Sequence, residues 1–248
     1  MKIALIGYGK MGKAIEQVAL QKGHEIALKI TEENLSDFTK ENLAEANVAI
    51  EFTQPDGAFE NILKCFDANL PVVSGTTGWN QQLEEAKKIC VRMNQAFFQA
   101  PNFSIGVNLF FALNEQMAIL AERFPEYKNI SISETHHTQK KDAPSGTAVS
   151  LANALLQNIS RYKKWESYPV ENRPVPPVPN TPASIPVYSH RIGDAAGLHE
   201  VIFESADDSI KLIHEAKGRG GFANGAVMAA EWLIGKKGVF GMKDLLQL

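Results

Sequence analysis

The chain has 248 residues, of which 44% are hydrophobic and 21% charged, and its formal net charge is −3. This composition is ordinary for a globular protein and gives no electrostatic reason to expect nucleic acid or an anionic membrane as a partner. Cys65 and Cys90 show neither metal-ligand spacing nor a disulfide framework, and no apolar run approaches the ~20 residues of a membrane span, so we expect a cytoplasmic protein.

The first hundred residues alternate short apolar runs with helical patterns. Strands are predicted over 3–6, 26–30, 48–52, 71–73 and 96–98. Apolar residues at helical spacing separate most of them, over 11–19, 59–66 and 83–93. Strand and helix in alternation are typical of a parallel sheet covered by helices on both faces. The fold class predicted here is α/β, a Rossmann-like doubly wound parallel sheet.

The pattern changes after Asn102. Further predicted elements are a helix over 107–124, an alternating strand over 130–134, a helix over 147–156 and an antiparallel hairpin of strands over 198–203 and 210–213. The stretch Pro169–Pro186 holds seven of the twelve prolines and is predicted to be an irregular loop. These elements indicate a second α+β domain bearing a mixed sheet.

The last segment, 222–248, is predicted to be helical and to pack back on the first domain. The second domain would then be an insertion in the first. We expect a dinucleotide-binding domain over 1–103, completed by 220–248, and a substrate-binding and oligomerisation domain over 104–219.

A glycine turn joins the first predicted strand to the first predicted helix. Its G-x-G-x-x-G pattern consists of Gly7, Tyr8, Gly9, Lys10, Met11 and Gly12. In this position the first glycine permits the tight turn, the second lets the backbone approach a pyrophosphate, and the third lets the helix pack on the strand. The motif favours dinucleotide binding over a purely structural turn.

The choice between NADH and NADPH is open at the sequence level. Glu32 follows the second strand, about where an acidic residue binds the adenine ribose of NAD. A carboxylate there would repel the 2′-phosphate of NADPH, whereas Lys10 and Lys13 could attract it. The balance leans slightly to NADH.

Small hydroxylated residues follow the fourth predicted strand, in Gly75, Thr76 and Thr77. Parallel sheets bind ligands at the carboxyl ends of their strands, so these residues could line a nicotinamide pocket. A plain turn with a threonine cap is an equally good interpretation from these residues alone.

The stretch from Glu134 to Ala148 carries the chemistry. His136 can change charge near neutral pH, and Lys140 is an ammonium donor. No cysteine or third histidine stands nearby, which argues against a metal site. His136 and His137 are adjacent, so they can serve one site only if the strand has ended. The alternative is a solvated loop with two incidental histidines.

The second half of this stretch opens a helix. Pro144 suits a first turn, and Ser145, Gly146 and Thr147 would leave backbone N–H groups free to hold an anion. A carboxylate fits better than a phosphate, which would usually recruit more basic residues. A histidine, a proton donor and a carboxylate cradle so close together favour an active site over a loop.

The motif His136-His137-x-x-Lys140-x-Asp142 with Ala143–Ala148 resembles the signature of the 4-hydroxy-tetrahydrodipicolinate reductase family. The similarity runs through nearly the whole chain. Supporting motifs are the glycine turn and residues 51–55, 75–78, 102–108 and 222–226.

The resemblance implies hydride transfer from NADH or NADPH to a cyclic dicarboxylate imine, with loss of water, in lysine and diaminopimelate synthesis. It implies that His136 is the acid/base residue, that Lys140 is the proton donor, and that His137 and the Gly146–Thr147 backbone hold substrate carboxylate. Contacts to the nicotinamide half of the cofactor are implied for Gly75, Thr76, Thr77, Ala100, Pro101, Asn102 and Phe103. It also implies a homotetramer joined through the second domain.

Some positions depart from the family pattern, among them Gln54 and Thr138, where basic residues are frequent. They bear on affinity and cofactor choice, since neither is among the acid/base or cradle residues. Two other interpretations are a dehydrogenase for another amino-acid-derived carbonyl and a catalytically silent NAD-sensing module. The signature argues against the first, and the presence of His136 and Lys140 against the second.

Overall fold

The structure is a computed structural model that describes residues 1–170 and 183–248. The strands, in chain order, are β1 (Lys2–Ile6), β2 (Glu25–Ile30), β3 (Val48–Glu51), β4 (Val72–Ser74), β5 (Ala96–Gln99), β6 (Asn129–His136), β7 (Lys164–Val170), β8 (Ser184–Arg191), β9 (Leu198–Glu204), β10 (Ser209–Glu215) and β11 (Gly238–Phe240). The helices are α1 (Lys10–Gln21), α2 (Lys40–Leu43), α3 (Pro55–Asp67), α4 (Asn80–Arg92), α5 (Ile105–Arg123), α6 (Gly146–Asn158), α7 (Gly220–Leu233) and α8 (Met242–Leu246). A 3₁₀ turn covers Leu35–Asp37.

The chain divides into two compact units. Unit 1 consists of Met1–Asn108 with Arg219–Leu248, and unit 2 consists of Leu109–Gly218. The last segment of the chain thus returns to the unit that holds the glycine turn.

Unit 1 is built on a parallel sheet with strand order β11-β5-β4-β3-β1-β2. Its inner strands β1, β3, β4 and β5 are buried on both faces, which explains their continuous apolar runs. One face packs against α1 and α7, whose core positions include Ile15 and Val227. The other face packs against α3 and α4, through residues such as Ile62 and Ile89. The predicted doubly wound α/β fold is therefore confirmed.

Unit 2 is built on a mixed sheet with strand order β10-β9-β6-β8-β7. β6 pairs antiparallel with β9 and parallel with β8. The predicted hairpin is present as β9 and β10. Helix α6 packs on this sheet through Ala148, Leu151 and Leu155, and these side chains bury the apolar face of β6. The prediction of a second α+β domain with a mixed sheet is confirmed.

The predicted irregular loop at Pro169–Pro186 is wrong at both ends, while its centre, 171–182, lies outside the described residues. Pro169 belongs to β7, the edge strand of the sheet, where a missing N–H donor is tolerated. Pro186 belongs to β8, yet β8 pairs with β6 only from Val187 onward. Pro186 therefore lies at a position where pairing with β6 does not require a backbone N–H donor.

The expectation of a helical tail over 222–248 is also corrected. Helix α7 ends at Leu233, and Gly235 follows with φ +79°. The chain then forms β11, which extends the parallel sheet beside β5, before the short helix α8. The strand has only three residues, too few for its periodicity to stand out in the sequence. Within the described ranges, no helix is both long enough and apolar enough to cross a membrane.

Candidate active site

A cleft of about 450 Å³ opens in unit 1 beside the glycine turn. Of the predicted cofactor residues, Gly7, Gly9 and Glu32 line it, together with Thr31 from the end of β2 and Phe52 and Thr53 after β3. The carboxyl ends of β1, β2 and β3 therefore meet at this cleft, as expected for a nucleotide site in a parallel sheet.

The three glycines of the turn differ in what a side chain would meet. At Gly7, with φ +91°, a Cβ would lie 2.1 Å from the Phe52 carbonyl oxygen. At Gly12 it would lie 2.4 Å from the Gly7 carbonyl oxygen, so α1 packs directly on the turn. At Gly9 no atom of the described residues lies within 4 Å of a Cβ, which leaves the backbone open toward the cleft. These surroundings fit a pyrophosphate that approaches the turn closely.

The remaining residues of the turn lie around this opening. Lys10 is exposed, and Met11 packs against the core of unit 1. The hydroxyl of Tyr8 donates a hydrogen bond to Glu16, which also pairs with Lys29 at 2.6 Å. Tyr8 and Lys29 therefore share Glu16 as their partner. Lys10 remains an exposed cation at the start of α1.

A buried carboxylate supports the neighbouring turn, Gly75–Thr77. Glu51 is fully buried and accepts hydrogen bonds from Ser74 Oγ at 2.6 Å and Thr76 Oγ1 at 2.7 Å. It also accepts the backbone N–H of Thr53 at 3.0 Å. Burial raises the pKa of Glu51, although the hydrogen bonds from Ser74 and Thr53 oppose that shift. The carboxyl group ties the turns after β3 and β4 together.

The predicted nicotinamide contacts occupy the same edge of the sheet. Gly75 lies against Phe52, whose ring would be 2.2 Å from a Cβ there, and Thr77 is exposed. Residues 100–103 follow β5, the neighbour of β4, and Pro101 is exposed. Asn102 accepts the backbone N–H of Ser104 at 2.9 Å. Ala100 and Phe103 are buried, and the backbone N–H of Ala100 donates to the Ser74 carbonyl oxygen at 3.3 Å.

In unit 2, His136 is the last residue of β6 and forms a pair with Glu134. Its Nδ1 is hydrogen-bonded to Glu134 Oε2, and its side chain is 12% exposed. Both side chains project from one face because they are two residues apart on a strand. Burial raises the pKa of Glu134, but the bond with His136 and the nearby charge of Arg191 outweigh it and bring the pKa to about 2. A buried carboxylate thus orients the imidazole, an arrangement suited to acid/base chemistry.

The loop after β6 carries Lys140, and Arg191 at the end of β8 holds this loop in place. The Arg191 guanidinium lies 3.0 Å from Glu134 Oε1 and donates hydrogen bonds to the backbone carbonyls of Lys140 and Asp142. The Lys140 ammonium pairs with the Asp142 carboxylate at 2.8 Å. His137 lies just beyond the end of β6 and is half-buried, so the alternation of the strand no longer applies to it.

Helix α6 starts beside this loop. Ser145 is its N-cap, and the Ser145 hydroxyl accepts the N–H of Ala148 at 3.3 Å. Pro144 precedes the cap and lies two residues before Gly146, the first helical residue, so its predicted place in the first turn is wrong. Gly146 is exposed, and in the part of the chain that the structure describes no atom lies within 4 Å of a Cβ there; Thr147 is half-buried. Free N–H groups and the helix dipole make this end suitable for a carboxylate.

A third imidazole completes the surroundings of Glu134 and His136. His199 of β9 lies opposite Glu134 in the sheet register. Donor atoms of Glu134, His136 and His199 lie within 4.8 Å of one another, and two histidines with a carboxylate could bind a metal ion. The sequence argument against a metal relied on the lack of a third ligand, and the fold provides one. The cation of Arg191 beside Glu134 opposes metal binding electrostatically.

Sequence reasoning did not single out Arg191, His199 or the supporting role of Glu134. Arg191 and His199 stand more than 40 residues after the end of the signature, and only strand pairing brings them to it. Glu51 belongs to one of the supporting motifs, 51–55, and its buried carboxylate does not follow from that motif. A charged residue at the end of an apolar strand is the one signal that could have suggested its role.

Comparisons with known proteins agree with one another. Family models described as dihydrodipicolinate reductase match residues 1–103 (N-terminus) and 106–246 (C-terminus). The 4-hydroxy-tetrahydrodipicolinate reductase of Christiangramia forsetii is 42% identical, covering 99% of this chain and 98% of its own. The reductase of the same name from Neisseria meningitidis serogroup A is 34% identical, covering 94% and 84%.

Among solved structures, a dipicolinate-bound dihydrodipicolinate reductase from Paenisporosarcina sp. TG-14 has the same fold, with a TM-score of 0.77, 23% identity and 98% of each chain covered. An amine dehydrogenase from Mycobacterium smegmatis is more distant, with a TM-score of 0.57, 11% identity and coverage of 96% and 94%. From the two family models and the relatives that match along its length, the chain belongs to the dihydrodipicolinate reductase family.

Proposed function

We propose that this chain reduces 4-hydroxy-tetrahydrodipicolinate to tetrahydrodipicolinate, with loss of water, as a step in lysine and diaminopimelate synthesis. Its relatives from Christiangramia forsetii and Neisseria meningitidis carry the name of this activity. The observation that carries the proposal is the cluster in unit 2, where a carboxylate–imidazole pair, an ammonium group and a helix N-terminus are supplied by consecutive segments.

The proton chemistry is assigned to His136 and Lys140. Loss of water leaves a conjugated imine, and one hydride with one proton completes the reduction. The Lys140 ammonium supplies that proton, while Arg191 fixes the backbone of Lys140 through its carbonyl oxygen. Glu134 holds His136 in one orientation for proton exchange with the substrate.

Recognition of the two substrate carboxylates is assigned to the N-terminus of α6 and to His137. The backbone N–H groups of Gly146 and Thr147 are placed to donate to one carboxylate, and Ser145 caps the helix that presents them. The planar dicarboxylate dipicolinate, which is bound in the Paenisporosarcina structure, is therefore a suitable inhibitory ligand to test on this chain.

The hydride comes from a nicotinamide cofactor, for which unit 1 is the proposed site. Gly7, Gly9 and Gly12 receive the pyrophosphate, and Glu32 in the cleft binds the adenine ribose. The nicotinamide half is assigned to the turns at 75–77 and 100–103. Glu32 favours NADH because it repels a 2′-phosphate, whereas Lys10 and Lys13 attract one. We propose that both NADH and NADPH can donate the hydride and that NADH is preferred.

The family resemblance also supports two proposals about the state of the protein. The chain assembles as a homotetramer through its second domain, and it works in the cytoplasm. Neither proposal is needed for the assignments of His136 and Lys140.

The decisive experiment follows oxidation of NADH and of NADPH at 340 nm with freshly generated 4-hydroxy-tetrahydrodipicolinate. We expect wild-type turnover with both coenzymes and a higher kcat/KM with NADH. Lys140→Ala should lower kcat by roughly 10²–10⁴-fold, the range for a lost general acid, with the Kd for NADH unchanged.

Lys141→Ala is the matched control, since Lys141 is the exposed neighbour of Lys140, and it should turn over like the wild type. Wild-type protein without substrate-dependent oxidation would refute the proposed reaction. Equal kcat in Lys140→Ala and Lys141→Ala would refute only the proton-donor role.

A further inference from the structure

His199 is a buried imidazole beside the proposed substrate site to which the mechanism above gives no role. It is 4% exposed and lies in the middle strand pair of unit 2, opposite Glu134. Its ring meets the ring of His136 edge to face, with centroids 5.1 Å apart and an interplanar angle of 74°. The side of the His136 ring that faces His199 is thereby supported by a second ring.

The same imidazole is bonded to the start of helix α6. Its Nε2 lies 3.0 Å from the Ser145 hydroxyl oxygen, which is also the N-cap acceptor for Ala148. The backbone N–H of Ser145 donates to Glu134 Oε1 at 3.3 Å. Ser145 is 3% exposed, so no solvent competes for these bonds. The N-terminus of α6 is thus fastened to the sheet through His199 and Glu134.

The protonation state of His199 suits a residue that positions its neighbours and does not suit a residue that transfers protons. Burial, with a contribution from His136, lowers the pKa of His199 to about 3, so the ring is neutral at neutral pH. Its Nδ1 is buried and has no hydrogen-bond partner among the described residues. A neutral, buried ring adds no charge beside the Lys140 ammonium and holds its neighbours by shape and by one hydrogen bond.

We propose that His199 is a positioning residue for both halves of the substrate site: it holds the Ser145 cap that orients the carboxylate-binding end of α6, and it holds the ring of His136. The inference rests on the proposed function and extends it, since it assigns the geometry of the site to a residue more than 50 positions from the signature.

Three substitutions separate the hydrogen bond from the ring contact. His199→Phe keeps a ring against His136 but cannot bond to Ser145. His199→Gln keeps a polar group near the position of Nε2 but removes the ring. Ser145→Ala removes the other partner of the bond. The probe is dipicolinate, measured by calorimetry, with kcat, the KM for substrate and the KM for NADH measured alongside.

We expect His199→Phe and Ser145→Ala each to raise the Kd for dipicolinate and the KM for substrate about tenfold, with the KM for NADH unchanged. The double variant should be no worse than Ser145→Ala alone, because Ser145→Ala already removes the bond to His199 together with the cap on Ala148. His199→Gln should recover most of the affinity but lower kcat about tenfold, because His136 loses its supporting ring.

Additive losses in the double variant, a parallel rise in the KM for NADH, or wild-type affinity in His199→Phe would each overturn the inference. If His199→Phe does not fold, Ser145→Ala decides the matter alone, since wild-type dipicolinate affinity there would contradict the role of the bond. Wild-type protein that binds dipicolinate and turns over, with variants equal to it, refutes the positioning role only. Wild-type protein without turnover refutes the proposed function and this inference with it.

Discussion

Glu134 is the residue on which the substrate site of unit 2 depends. A fully buried carboxylate is costly unless each oxygen is bonded, and here one oxygen takes the imidazole of His136. The other oxygen accepts hydrogen bonds from the Arg191 guanidinium and from the Ser145 N–H. Removing the carboxylate would leave the Arg191 cation and a backbone donor unpaired at once. One side chain therefore links the acid/base residue, the Lys140 loop and the start of α6.

The protonation of His199 should make the stability of the protein depend on pH. Its pKa is about 3 in the folded protein against 6.5 for an unperturbed imidazole, because burial disfavours the charged form. The unfolded state therefore binds an extra proton below pH 6.5. The stabilising contribution is complete above pH 6.5 and is lost as the pH falls toward 3, by on the order of 1.4 kcal/mol for each pH unit.

Urea unfolding of the wild type and of His199→Phe between pH 7 and pH 5 measures this effect. Over this window the free energy of unfolding of the wild type should fall by about 2 kcal/mol more than that of the variant, since the full slope of about 1.4 kcal/mol per pH unit is reached only below pH 6.5. Glu134 does not interfere, since its lowered pKa places its own loss of stability below pH 4.5. Parallel slopes in the two proteins would mean that His199 is not held neutral.

The signature residues could be predicted from the sequence because they are consecutive. His136, Lys140 and the cap of α6 stand within ten positions, so their proximity requires no knowledge of the fold. Arg191 and His199 reach the same place only through the registers of β8 and β9 against β6. Register depends on which strands become neighbours, and the apolar pattern of one segment does not identify a partner that is distant in sequence.

At the level of elements, helix α7 shows how closely two segments of unit 1 approach. A Cβ at Gly225 would lie 1.7 Å from the carbonyl oxygen of Phe103, which is backbone and cannot rotate away. Alanines occupy the neighbouring buried positions of α7, which lets it pack on the sheet beside α1. The glycine is required by this contact and not by its φ angle.

Gly225→Ala should therefore destabilise the protein by about 3 kcal/mol or more, as overpacking of a rigid contact does, although alanine is the better helix former. Gly221→Ala is the matched control in the same helix, because its Cβ would meet only the Ser104 hydroxyl at an ordinary 3.6 Å. It should be neutral or stabilising by up to about 1 kcal/mol. Equal free energies of unfolding in urea for the two variants would contradict the close approach of α7 to Phe103.

An element can be predicted when its own residues carry a clear apolar pattern, and it is missed when its stability comes from its neighbours in the fold. Strands such as β1 and β3 in unit 1 follow from runs of apolar residues that are buried on both faces of the sheet. β7, β8 and β11 were missed, because proline or short length hides their pattern and pairing with neighbours stabilises them. In these three strands the tertiary environment outweighs local propensity.

At the scale of the whole molecule, the chemistry is divided between two compact units of one chain. The glycine turn and the cleft lie in unit 1, whereas Glu134, His136, Lys140 and the start of α6 lie in unit 2. A ligand that binds only the folded state suppresses opening of the unit that holds it. Each ligand should therefore slow amide hydrogen exchange in a different set of segments.

We predict that NADH alone slows exchange at 6–12, 30–38 and 52–57, and that dipicolinate alone slows it at 134–147. At ligand concentrations near 100 times Kd, the stabilisation is about 2.7 kcal/mol, which corresponds to roughly 100-fold slower exchange in the protected segments. Picolinate, with one carboxylate fewer, is the control and should protect 134–147 less at equal concentration. Protection by dipicolinate in the cleft of unit 1, with 134–147 unaffected, would show that the substrate roles have been assigned to the wrong unit.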